Sequence, residues 1–178
     1  MDFTARYHSP LGGITLASDG EALTGLWFDG QKHFASTLSA NVSENHDLPI
    51  FRQTRLWLDR YFGGEIPDFT PKLKMRGSNF RKQVWQKLLE IPYGQTASYG
   101  EIACAIAHEN SLERMSAQAV GNAVGHNPIA IIIPCHRVVG AGGSLTGYAA
   151  GIDKKMRLLR LEGVDFKNIT DMPKIKAQ

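Results

Sequence analysis

Cysteine is nearly absent from this chain, with two in 178 residues. Two thiols, Cys104 and Cys135, make no disulfide framework. Long hydrophobic runs are missing too. An apolar stretch such as Ile129–Ile133 falls far short of the ~20 residues a membrane helix needs, so no membrane association is expected. "MDFTARYHSPLGG" holds no apolar run ahead of a cleavage site, so no signal peptide is expected, and the thiols are expected to be reduced in a cytoplasm. There is no CxxC pair, and His8, His33, His46, His108, His126 and His136 are scattered; neither a metal site nor a cofactor is expected. No internal repeat and no low-complexity tract interrupts the chain.

What is present is unevenly placed. Residues 1–75 carry 7 Lys/Arg against 9 Asp/Glu, and residues 76–178 carry 13 against 8. The basic second part suits an anionic partner such as nucleic acid, although a solvated surface of mixed charge accounts for it equally.

The pattern predicts an α+β fold. Phe3, Ala5 and Tyr7 alternate with polar residues, and "GGITLAS" and "ALTGLWF" follow across an Asp19-Gly20 turn, which reads as a small antiparallel sheet. A helix from Phe51 carries the i,i+4 pairs Trp57/Tyr61 and Leu58/Phe62 and stops at Gly63-Gly64. "GGEIPDFTPKLKMRG" reads as a linker. The domains predicted are therefore 1–75 and 76–165, with a disordered tail over 166–178.

Helices dominate the second domain. Ser78 caps a helix with Phe80, Val84 and Leu88 on one stripe. "SYGE" at 98–101 is a capping box opening a second, and Ala117, Val120 and Val124 mark a third. The second and third suggest a helix-turn-helix, although "HENSLERM" is longer than the usual turn. A short strand is expected to lead into Cys135, and a last helix to span Asp153–Glu162. The small residues of "SAQAVGNAVG" suit close helix packing or entry into a narrow groove.

The segment "IIIPCHRVVG" places Cys135 between a proline and a histidine. A thiol attacks as its thiolate and needs a base or positive charge nearby. In a strand, His136 and Cys135 would point to opposite faces, so a bend at Pro134 or a water would have to join them. Cys104, in "IACAIA", reads as a buried structural thiol with no chemistry.

"PCHRV", with "GQTASYGEIA", "AVGNAVGHNPI" and "GSLTGYAAGIDKKMRLLRLEG", resembles the methylated-DNA–protein-cysteine methyltransferases, the O6-alkylguanine-DNA alkyltransferase family, over residues 78–164. The resemblance implies a ribonuclease H-like first domain and a helix-turn-helix second domain. It implies direct-reversal DNA repair, in which Cys135 irreversibly takes the alkyl group from O6-alkylguanine, with O4-alkylthymine a second lesion of this kind. His136 and Glu162, with a water, would deprotonate Cys135. Asn127 would tie the recognition helix to the segment carrying the cysteine, and Tyr99 would donate a proton to the departing guanine.

The carbonyls of Cys135 and Val138 would read the base, Tyr148 would wall the pocket, and the Ala149 N–H would face O6. Ala117, Gln118 and Gly121 of the recognition helix would lie in the minor groove, with Arg114 and Arg137 among the DNA-contacting residues. The partner implied is double-stranded DNA containing alkylated guanine, bound by a monomer.

Two features depart from the family. Gln118 stands where an arginine commonly fills the gap left by the flipped base, and the 108–115 segment is longer than in some members. Two other functions compete: a non-catalytic binder of alkylated DNA, which Cys135 argues against, and a cysteine hydrolase, for which no acyl-substrate site is evident.

Overall fold

The computed structural model describes residues 1–170. The chain opens with β1 (Asp2–Ser9), β2 (Gly12–Ser18) and β3 (Leu23–Phe28), a meander in the order read from the sequence. A fourth strand, β4 (Val42–Glu44), pairs parallel to β1, so the sheet has the order β3-β2-β1-β4 and is mixed rather than wholly antiparallel. Helix α1 (Pro49–Phe62) buries Phe51, Leu58 and Tyr61 in the core it shares with the sheet, and Pro49 suits its first turn, where no helical N–H partner is needed.

The proline-rich segment after α1 does not hang free. Lys72 O accepts from Leu23 N at 2.8 Å and Lys74 N donates to Leu23 O at 2.9 Å, pinning it along β3. Arg76 forks onto the buried Asp2 carboxylate at 2.6 and 2.7 Å, and this pairing holds the Asp2 carboxyl at about 2. Gly77 is required beside it: a Cβ there would lie 2.6 Å from the Trp85 ring.

Helices α2 (Asn79–Leu89), α3 (Tyr99–Glu109) and α4 (Ala117–Gly125) follow. Ser78 caps α2, Ser98 and Glu101 form the reciprocal capping box of α3, and Ser116 caps α4. Trp85 Nε1 donates to Ala123 O at 2.8 Å and locks α2 to α4. Two short strands, β5 (Ala97–Ser98) and β6 (Val138–Val139), pair in parallel, and α5 (Ile152–Leu161) closes the fold. One core runs through both halves, from Leu16 and Leu26 of the sheet to Val84, Val120 and Leu158.

Three expectations need correction. The strand expected before Cys135 is absent. Ile129 makes one isolated parallel bridge to Leu26, residues 130–132 form turns, with Ile131 at φ 68°, and Cys135–Arg137 wind into a 3-10 turn. The run is apolar because it is buried throughout, not because it is extended. Cys104 is exposed on α3 rather than buried. Part of the expected disordered tail is ordered: Phe166–Asn168 form a 3-10 turn, Ile169 is buried against Leu145 and Leu159, and Thr170 N donates to Gly143 O at 3.0 Å. The rest of the expected tail, 171–178, lies outside the described residues.

Candidate active site

The 3-10 turn at Cys135 removes the difficulty posed by a strand, because neighbouring side chains no longer alternate across a sheet. Cys135 and His136 are both buried, at 6% and 0% exposure. Asn127, itself buried, holds the approach in place. Its Nδ2 donates to Ile133 O at 2.8 Å and its Oδ1 accepts from Ile129 N at 3.0 Å, so the end of α4 is tied to the residues entering the turn.

Burial pushes the Cys135 thiol above its ordinary range. The Asn127 side chain, the Lys155 ammonium and nearby backbone N–H groups pull the other way without overcoming it. At rest the group is a thiol, and a base is needed to activate it.

The next residue in the turn is a histidine paired with a carboxylate. His136 Nε2 lies 2.6 Å from Glu162 Oε1, at the C-terminal end of α5. Arg137 donates to the same carboxylate through Nε to Oε2 at 2.8 Å and Nη2 to Oε1 at 3.0 Å. Gly94 N donates to Oε2 at 3.2 Å, and the Tyr61 hydroxyl donates to Oε1 at 2.7 Å. Burial alone would raise the Glu162 pKa; the hydrogen bonds from His136 and Arg137, with the Arg137 charge, outweigh it and hold the group at about 2.

The imidazole behaves differently. Burial drives its pKa down, and Glu162 only partly offsets that. Arg137 is therefore the standing counter-charge of Glu162, while His136 rests neutral. With the carboxylate accepting at Nε2, the proton sits there and Nδ1 keeps its lone pair. Nδ1 is buried and has no hydrogen-bond partner among the described residues.

Cys135 forms part of the wall of a cavity of about 170 Å³, together with Tyr99, Gly121, Val124, Tyr148 and Ala149, and with Lys32 and His33 from the first half of the chain. Tyr99 OH donates to Thr146 O at 3.3 Å. Burial, then the nearby Cys135, raises the pKa of both Tyr99 and Tyr148, so both phenols stay protonated. A wider groove of about 650 Å³ adjoins the cavity at Tyr99 and Gly121 and is lined by Ser98, Ala117, Gln118 and Asn122.

The family model described as the 6-O-methylguanine DNA methyltransferase DNA binding domain matches residues 79–164, and that of the ribonuclease-like domain matches residues 3–75. A methylated-DNA–protein-cysteine methyltransferase of Methanosarcina acetivorans is 46% identical over 161 residues, covering 90% of this chain and 98% of that protein. This chain belongs to the 6-O-methylguanine DNA methyltransferase family. The crystal structure of Mycobacterium tuberculosis O6-methylguanine methyltransferase superposes with a TM-score of 0.77 at 44% identity, covering 91% of this chain and 93% of that one. The Mycobacterium tuberculosis OGT in complex with DNA gives 0.74 at 44% identity, covering 90% and 91%.

Within this methyltransferase fold, the residues singled out from the sequence fall into three places. Cys135, His136, Glu162, Asn127, Tyr99, Tyr148 and Ala149 surround the cavity or support it. Ala117, Gln118 and Gly121 line the groove. Arg137, expected to contact DNA, is instead turned inward onto Glu162 and Ile91 O. Arg114 is exposed in the α3–α4 connection and does not line the groove. Val138 O accepts from the Lys155 ammonium, so it is already engaged by the protein.

Sequence reasoning missed Lys155 and Tyr61. Lys155 is fully buried, its Nζ bound by the carbonyls of Val138, Thr146 (3.0 Å) and Gly147 (3.2 Å), and burial lowers its pKa to about 8. It cross-links the turn after Cys135 to the loop carrying Tyr148. A lysine in "DKKMR" gives no local signal of burial; Tyr61 was legible only as an apolar helix position.

Proposed function

We propose that this chain is a direct-reversal DNA repair protein that moves the alkyl group of O6-alkylguanine onto its own Cys135. The observation that carries this reading is the buried thiol in the wall of a base-sized cavity that opens beside a groove along α4. His136 Nδ1 takes the thiol proton, by way of a water as the family resemblance implies, and Glu162 stabilises the imidazolium that results. The sulfur attacks the alkyl carbon, the carbon–O6 bond breaks, and its electron pair leaves with the guanine. Tyr99 gives that guanine a proton, which lowers the barrier to its departure.

The partner is double-stranded DNA, engaged by the groove-lining residues of α4 with the basic second part of the chain. The target base leaves the stack and enters the cavity, at a cost of a few kcal/mol. The Tyr148 ring walls the cavity, and the backbone N–H of Ala149 faces O6. The protein acts as a monomer and needs no cofactor, and the division of labour falls near residue 76.

A thioether has no carbonyl for water to attack and no good leaving group, so each molecule reacts once. Mixing the protein with a duplex containing one O6-methylguanine and weighing both products should give one methyl per protein, on the peptide bearing Cys135. Cys135→Ser should lose transfer and retain DNA binding, and Cys104→Ser should change neither. Repeated turnover by one protein molecule would contradict the reading.

A further inference from the structure

The first part of the chain is remote in sequence from the reacting cysteine, yet it sends one polar group into the centre of the proton relay. Tyr61 sits on the buried face of α1 with no exposure. Its ring stacks on Trp57 at 5.2 Å and meets Tyr93 edge-on at 6.1 Å, which leaves the hydroxyl little choice of direction. That hydroxyl is 2.7 Å from Glu162 Oε1 and 3.4 Å from His136 Nε2. It therefore shares with His136 the very oxygen that sets the imidazole tautomer.

We infer that Tyr61 is a positioning residue for the transfer reaction, fixing Glu162 Oε1 and restraining its pull on the His136 proton. This rests on the reading of His136 and Glu162 as the activators of Cys135. A carboxylate with fewer donors concentrates more negative charge on Oε1 and holds an imidazolium more strongly. Such a His136 would already be protonated when the alkylated base arrives, and a protonated imidazole accepts nothing. The phenol cannot itself serve as the base, because burial and the Glu162 charge keep it protonated.

Other groups face the relay: Arg137 and Tyr93 on the Glu162 side, and Lys155, Tyr148 and Cys135 on the pocket side. Arg137 is a permanent cation, and both further tyrosines stay protonated. Lys155 belongs to the pocket carbonyls and makes no hydrogen bond to Glu162 among the described residues. Removing the Tyr61 hydroxyl thus changes one donor on Oε1 and leaves the other charges in place.

The test is the single-turnover rate of methyl transfer on saturating O6-methylguanine duplex, followed from acidic to neutral pH. Wild type, Tyr61→Phe, His136→Ala and Glu162→Gln are compared in the full chain. Tyr61→Phe keeps the ring contacts, so its thermal midpoint should stay near wild type. Its acid limb should move to higher pH by roughly 0.5–1 unit, and the His136 ring-nitrogen titration by NMR should move the same way. The same limb as wild type, or a uniform slowing without displacement of either titration, would overturn the inference while leaving the relay intact. Wild-type rates in His136→Ala and Glu162→Gln would overturn the relay reading and this inference with it. Should Tyr61→Phe lose its folded transition, the NMR titration is repeated on Trp57→Phe. That variant perturbs the stack and spares the hydroxyl, and a His136 titration displaced as far as expected for Tyr61→Phe would also count against the inference.

Discussion

The interior around Cys135 and the outer face of α4 are parts of one site built on opposite plans. Inside, the charged groups are held from several directions: the Glu162 carboxylate accepts from His136, Arg137, Tyr61 and Gly94, and Lys155 is bound by three carbonyls. Outside, Ala117, Gln118 and Asn122 line an open groove with small or neutral side chains. Low dielectric explains the contrast. A buried charge without partners is costly, so Glu162 and Lys155 must be saturated, whereas a surface that receives a nucleic acid must leave its hydrogen-bonding capacity unspent. The interior should thus respond to single substitutions with large changes, and the exterior with small ones.

The largest effect is expected in the relay. His136→Ala removes the proposed base and Glu162→Gln removes the charge proposed to stabilise its imidazolium; each should slow transfer by about 10²-fold or more. DNA affinity should survive, because neither group lines the groove. Raising the pH should recover part of the rate, since the Cys135 thiol, held up by burial, then ionises without help. Rate against pH, beside DNA affinity by fluorescence anisotropy, checks this. A loss of binding in place of a loss of rate would erase the distinction between interior and exterior.

The same saturation makes the interior sensitive to acid. Glu162 has its pKa depressed from 4.5 to about 2 in the folded chain. A depressed carboxylate contributes stability that is fully present above its unfolded pKa and is lost as pH falls through the folded one. The contribution is of the order of 3 kcal/mol, so unfolding free energy should fall between roughly pH 4.5 and pH 2. Asp2, held at about 2 by Arg76, adds to the loss in the same window. Glu162→Gln should be less stable at neutral pH and show a flatter acid limb in denaturant titrations. An acid limb as steep as wild type would place the sensitivity elsewhere.

The two regions also differed in how much their sequence disclosed. The caps of α2 and α3 were legible because Ser78 and Ser98 each bond a backbone N–H within three residues. The motif around Cys135, His136 and Glu162 was legible by family resemblance. The contacts that organise it were not: Tyr61 meets Glu162 across 101 residues and Arg137 meets it across 25, distances over which no periodicity carries information. Arg137 read as a DNA contact because a cation beside an active cysteine has no local mark of burial. The run Ile129–Ile133 read as a strand because burial on all sides and burial in a sheet give the same apolar string. Ile169 was lost in a polar tail for the opposite reason, one buried residue among exposed ones.

The smallest expected effect, and the sharpest probe of the exterior, lies at Gln118. An arginine, common at this position in the family, would fill the vacated stack with a planar cation held by surrounding phosphate charge. Glutamine is shorter and neutral, yet its amide can hydrogen-bond the orphaned partner base. Gln118 stands in the first turn of α4, on the groove wall, where the Ser116 cap fixes the backbone and leaves the side chain exposed. Gln118→Ala should therefore slow duplex repair by roughly fivefold, the equivalent of about 1 kcal/mol for one hydrogen bond. On single strands, which have no pairing to break, the same change should matter less. Gln118→Arg should speed duplex repair or tighten binding, because a wedge persists longer when charge holds it in place. Rates for the three proteins on both substrates decide the matter. Equal duplex rates would move the wedge to another residue, with Arg114 in the adjoining connection the first to replace.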